Sequence, residues 1–210
     1  MPALPMFPLE VAMLPGEELP LRVFEPRYAA LVEACLAAAD PAFGTVLIAA
    51  GREVGGGDAR SDVGALAHIS ECTDLGGGRY RLNCVLRERF RVLEWRPDDP
   101  YPQAAVEFWP DEPGAAVDVA AIRDIEDRMV ALFERVAAAR GAQVNARDIV
   151  RGADESGDVA LWLYALAARL PLGQADRYAV LASATVAERV SALSEAIDTV
   201  NAMVEFQLSE

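Results

Sequence analysis

Apolar and polar positions change rhythm once along this chain. Up to Trp109 the apolar residues alternate over short runs broken by Pro and Gly, and beyond Gly114 they recur every three or four residues. Alternation at period two marks half-buried strands, and the longer period marks amphipathic helices. Strands are therefore predicted at Leu19–Phe24, Gly44–Ala50, Val63–Asp74, Arg79–Leu86, Arg89–Trp95 and Ala104–Trp109. One early helix opens at Pro26, where a missing N–H costs nothing. It carries Tyr28, Leu31, Val32, Cys35 and Leu36 on one face and stops at Asp40-Pro41. Gly76-Gly77-Gly78 reads as a tight hairpin turn, and the loop 51–62, with Gly55-Gly56-Gly57, as mobile.

In the second half, Ile122, Ile125, Met129, Leu132, Phe133 and Val136 form the stripe of a long helix, with Asp124 four residues before Arg128 on its wet side. Asp158–Leu170 reads as another helix, ended by Pro171, and Gln174–Ala182 as a shorter one. Thr185-Val186-Ala187-Glu188 is a capping box. It opens a last helix striped by Val186, Val190, Leu193, Ile197, Val200 and Val204. Such a stripe serves either a bundle core or a coiled-coil seam. The pattern as a whole predicts an α+β fold: residues 1–112 form a curved, mostly antiparallel sheet or small barrel with one helix, and residues 113–210 form a helical bundle.

Composition narrows the chemistry. The chain has 210 residues, is 53% hydrophobic and carries a net charge of −14, enough for a core without disulfides and unfavourable for general binding to nucleic acid or anionic lipid. No lysine occurs; all 19 basic residues are arginines. A P-loop lysine, a Schiff base and a Ser/Lys dyad are thereby excluded within this chain. A single histidine, His68, excludes sites built on two. No Gly-x-Ser-x-Gly elbow is present. No serine is marked as a nucleophile by its sequence context, and among 33 carboxylates none is singled out as an acid or base. No cofactor is expected. The amino terminus lacks a basic-then-apolar signal, and the longest apolar run, Val159–Ala168, is about half of what spans a bilayer. Three cysteines are then expected to stay reduced in a bacterial cytoplasm.

Two constellations could carry function. If the hairpin at Gly76–Gly78 is regular, His68, Cys72 and Cys84 share one face, with Cys84 opposite Ser70, and Asp74 could complete a zinc site. That face is apolar, where cysteine commonly packs as core. The other is an arginine stripe, Arg79, Arg81, Arg87, Arg89, Arg91 and Arg96, expected on the solvent face of the sheet. It serves either solubility and internal pairing or a groove for an acidic polypeptide or, against the net charge, nucleic acid.

Leu4-Pro5-Met6-Phe7-Pro8-Leu9, Leu14-Pro15-Gly16-Glu17 and Leu21-Arg22-Val23-Phe24-Glu25-Pro26-Arg27-Tyr28 resemble the opening of the amino-terminal domain of Lon proteases. The likeness continues through Phe43–Ile48, Val63–Ile69, Gly78-Arg79-Tyr80, Arg89–Val92 and Leu170-Pro171-Leu172, and into Glu188–Leu193. It departs at Leu86, where the family commonly has Gly, so the sheet is expected to bend differently there. This resemblance implies a PUA-like β pseudobarrel followed by a helical bundle, without the ATPase and protease domains. It implies a non-catalytic module that recognises polypeptide segments or another protein, as an adaptor linked to protein quality control. A monomer or weak homodimer is expected. In the motif Phe24, Glu25, Pro26, Arg27 and Tyr28, structural roles are expected: Glu25 capping the helix, Arg27 pairing with a carboxylate, Tyr28 packing inward.

Overall fold

A computed structural model describes residues 3–50, 59–151 and 157–209. The chain divides into two compact units, Met1–Pro110 and Asp111–Glu210.

The first unit contains β1 (Leu4–Leu9), β2 (Glu18–Val23), α1 (Pro26–Leu36), β3 (Ala42–Ala50), β4 (Ala59–Asp74), β5 (Tyr80–Trp95) and β6 (Gln103–Phe108). Its strands follow the order β2-β5-β4-β3-β1-β6, and β6 pairs back onto β5. Five strands thus close a ring, which removes their free edges, while β2 extends from the first half of β5. All pairings are antiparallel except β1 with β3.

The ring is filled by Met6, Val46, Phe90 and Ala104, with Leu4, Val92 and Val106 against them. Two glycines make room for Phe90. A Cβ on Gly44 would lie 2.5 Å from Met6 Sδ and 2.8 Å from Phe90 Cζ, and one on Gly64 would run into the Thr45 carbonyl and Phe90. On the other side of the same strands a larger core forms. Phe7, Phe43, Ala65, Ala67, Leu82, Cys84 and Leu86 meet Leu19 and Val23 of β2 and Tyr28, Leu31, Val32 and Cys35 of α1. The predicted apolar face of α1 is the one buried, Leu36 excepted, which is exposed.

Three sequence expectations change here. Leu4–Leu9 is a strand despite Pro5 and Pro8. Pairing with β3 begins only at Met6, and pairing with β6 covers only Leu4 and Pro5, so each proline sits where one neighbour is absent. The predicted runs Arg79–Leu86 and Arg89–Trp95 are one strand. Its bend comes from a bulge: Ala67 faces Leu86 but Ala65 faces Arg89, leaving two residues of β5 opposite one of β4. Finally, β4 starts at Ala59, inside the segment read as loop, whereas Gly55–Gly57 lie outside the described residues.

The second unit contains α2 (Val119–Ala139), α3 (Ala146–Arg151), α4 (Val159–Ala168), α5 (Gln174–Ala182) and α6 (Val186–Ser209). Aspartates cap two helices: Asp118 Oδ1 accepts from Ala120 N and Asp158 Oδ1 from Ala160 N, both at 2.8 Å. Half of the capping box forms, with Thr185 Oγ1 accepting from Glu188 N at 3.1 Å, while the Glu188 carboxylate accepts from Ala184 N, one residue before the cap, at 2.9 Å. Leu193, Ile197, Val200 and Val204 are buried, as are Ile125, Met129 and Leu132 of α2, against which α6 packs, so the last stripe is core along most of its length. Arg189 lies on the same helix at 0% exposure. It donates twice to the Asp111 carboxylate and rests 4.0 Å from the Tyr164 ring centroid. The short helix α3 has no counterpart in the predicted pattern.

Candidate functional site

The Leu14–Glu17 segment sets where β2 begins. Gly16 adopts φ +89°, which suits glycine. Its N–H reaches Leu86 O at 2.8 Å, Leu86 N returns to Glu17 O at 2.9 Å, and the Glu17 carboxylate accepts from Leu14 N at 2.7 Å. From there β2 runs alongside β5, with Leu19, Leu21 and Val23 opposite Cys84, Leu82 and Tyr80. Glu18, Pro20 and Arg22 are the exposed residues of this strand. Among the described residues β2 pairs on one side only, and Pro20 removes a donor from the middle of the strand.

The chain then turns into α1 through Phe24 and Glu25. Glu25 occupies the cap position but makes no side-chain cap bond; its carboxylate accepts instead from Arg27 Nε at 3.1 Å. The expected capping role is therefore corrected, while the expected pairing of Arg27 is present. Arg27 also lies over the Tyr28 ring at 4.4 Å. Tyr28 packs inward, its ring stacked on Phe7 with centroids 4.1 Å apart. Phe24 breaks the structural reading of the motif: it is 65% exposed, as high as any large apolar residue described in the chain. Around it lies a cleft of about 210 Å³ lined by Phe7, Leu21, Arg22, Val23, Phe24, Glu25 and Tyr28. Apolar side chains form most of its wall, and one cation and one carboxylate stand at its rim.

The arginine stripe divides. Arg79, Arg81, Arg87 and Arg91 are exposed, as expected. Arg89 is 6% exposed, a correction whose cause is the bulge in β5, which turns its side chain to the same side as Leu86. Arg89 and Arg91 lie 4.4 Å and 3.4 Å from the Trp109 ring centroid. Arg96 pairs with Glu94 at 3.4 Å, and Arg79 donates to Gly76 O at 3.2 Å. Arg81 stands directly opposite Arg22 of β2. No sequence pattern pointed to Arg22, because the neighbour that gives it meaning is about sixty positions away.

The constellation of His68, Cys72 and Cys84 does not assemble, in line with the reading of Cys84 as a packing residue rather than a ligand. Cys84 faces Ile69, and Ser70 drops out of register, so His68 and Cys84 point to opposite sides of the sheet. The His68 ring bridges two carboxylates instead, Asp40 at 3.2 Å and Glu88 at 3.1 Å. Cys84 is core, and burial pushes its thiol up to about 12, as it does for Cys35. Cys72 is exposed, its thiol raised by partial burial and by Asp74. Neutral thiols are poor ligands and nucleophiles. Among the described residues no group of three or more His, Cys, Asp or Glu side chains is placed to hold a metal, and no helix is long and apolar enough to cross a membrane.

A closed barrel followed by a helical unit is the fold of Lon amino-terminal domains. The Lon N-terminal domain protein from Xanthomonas campestris superposes with a TM-score of 0.65 at 24% identity, over 93% of this chain and 98% of that one. The N-terminal domain of Mycobacterium avium complex Lon protease does so with a TM-score of 0.65 at 17% identity, over 94% and 98%. The family model of the ATP-dependent protease La (LON) substrate-binding domain matches residues 3–199, and this chain belongs to that family.

Proposed function

We propose that the chain is a non-catalytic polypeptide-recognition module, acting in the cytoplasm as an adaptor in protein quality control, which holds an apolar side chain of an extended segment in the cleft beside Phe24. One observation carries the placement: Phe24 is exposed at the rim of an apolar cleft, between a one-sided strand and a helix start. At about 210 Å³ the cleft is smaller than the roughly 300 Å³ at which small-molecule sites begin. Its size suits one large side chain better than a cofactor. Burying such a side chain is worth about 2 kcal/mol, so a single contact is weak and selectivity comes from what flanks it. Family membership supports the substrate class, and the absence of lysine removes the chemistry of nucleotide gripping and Ser/Lys proteolysis.

Photo-crosslinking of a benzophenone-labelled apolar peptide tests this. Adducts should map to Leu21–Tyr28 and fall away in Phe24→Ser. Labelling spread evenly over the surface, or equal labelling by a polar peptide of the same charge, ends the reading.

A further inference from the structure

Arg22 and Arg81 occupy directly opposed positions on β2 and β5. Like charges so placed repel, and a fold keeps them cheaply only when a carboxylate stands between them. Three other barrel arginines show how that is done: Arg27 is held by Glu25, Arg60 by Asp98 and Arg96 by Glu94. No hydrogen bond or ion pair ties Arg22 or Arg81 to any described residue, although the protein carries 33 carboxylates. Arg79, just before that strand, and Arg87 on it are also exposed and have no acidic partner among the described residues. Arg22 is shared: it is opposed to Arg81 and also lines the apolar cleft beside Phe24.

Resting on the reading above, we propose that the polypeptide taken by this surface is acidic next to its apolar anchor: an extended segment that seats a large apolar side chain beside Phe24 and an Asp or Glu between Arg22 and Arg81. Arginine suits this work, since its planar guanidinium meets a carboxylate with two parallel donors. The pair gives the weak apolar contact its selectivity. Segments bearing Lys or Arg at that place meet two cations and are rejected. The repulsion between the two arginines is relieved only when the acidic segment arrives, so the preference appears on binding and not in the stability of the free protein. Because the charges are exposed, salt weakens the preference.

The test uses the intact chain and three fluorescent peptides of equal length with the same apolar anchor, flanked by Glu, Gln or Lys, followed by anisotropy at low and high salt. The Glu peptide should bind about fivefold more tightly than the Gln peptide, with the Lys peptide weakest and the spread shrinking in high salt. Arg22→Gln and Arg81→Gln should each remove most of the spread, and Arg22→Glu should shift the preference toward Lys. Equal binding of the three peptides overturns this inference and leaves the apolar cleft standing. Binding of none of them overturns both. A single-stranded oligonucleotide that competes with the Glu peptide at equal concentration, and is lost in the same variants, assigns the arginines to nucleic acid and also overturns it.

Discussion

The seam between α2 and α6 and the face shared by β2 and β5 both carry a pair of arginines, and the two pairs are treated in opposite ways. On the seam, Arg128 bonds Asp124, Asp198 and Ser194, and Arg135 bonds Asn201 at 2.7 Å and Glu205 at 3.3 Å. On the barrel face, Arg22 and Arg81 are directly opposed, and among the described residues no acid is bonded to either. Both surfaces are wet, so solvation alone does not explain the difference. Ion pairs on the seam join two helices that are already packed together, and they contribute to the unit's own stability. The barrel pair contributes nothing of that kind. The seam pairs hold the helical unit together, whereas the proposed preference for an acidic segment rests on the barrel pair.

Substitutions break this comparison at graded depths. Removing the acid from the most buried arginine has the largest effect: Asp111→Ala strands Arg189, at 0% exposure, and should cost about 3 kcal/mol in urea unfolding. Arg128→Ala loses partly screened bonds and should cost about 1 kcal/mol in the same assay. Arg81→Gln should move the unfolding midpoint by no more than about 0.5 kcal/mol, with the sign toward stabilisation, because a repulsive pair is relieved. A clear destabilisation there would show that the barrel pair has a structural partner after all. Phe24→Ser should lie within the same margin and yet abolish peptide capture, separating the cleft from the core.

The smallest effect at neutral pH concerns the thiols. Cys35 and Cys84 are both in the barrel unit, and burial raises each from 9.0 to about 12. The fold favours the neutral thiol, so its stabilising contribution is complete below about 9, where unfolded thiols are also protonated. It is lost as pH rises from there toward 12. Urea titrations should agree at pH 7 and 8 and weaken above 9. Cys84→Ala should flatten that decline, and an unchanged slope would refute the assignment.

Much of the fold was legible from local pattern. The α1 face, the strands β2, β3, β4 and β6, the long helices and the capping box all follow from spacing that neighbours in sequence impose on one another. The misses have physical causes. Pro5 and Pro8 hid β1, since their tolerance depends on where the two adjacent strands stop. The bulge in β5 has no local signature, and it puts Arg89, which is buried, on the side of the sheet shared by Leu86. A second slip of register, in β4 at Ser70, separates His68 from Cys84. At the candidate site, Arg79, Arg81 and Arg87 were recognisable as an exposed basic strip. The exposure of Phe24 was not: an aromatic residue before a helix reads as core until the helix is seen to turn its other face inward.

What the chain alone determined is its inventory: no ammonium side chain, one imidazole, strands before helices, and the periodicity of each. These are local or additive properties, readable without knowing what touches what. Whether Arg189 is neutralised, which aromatic stays outside and which thiols are silent were settled only by tertiary packing, because each depends on residues brought from a distant part of the sequence. Pairing across strands is a three-dimensional property, and the candidate site consists of such pairings.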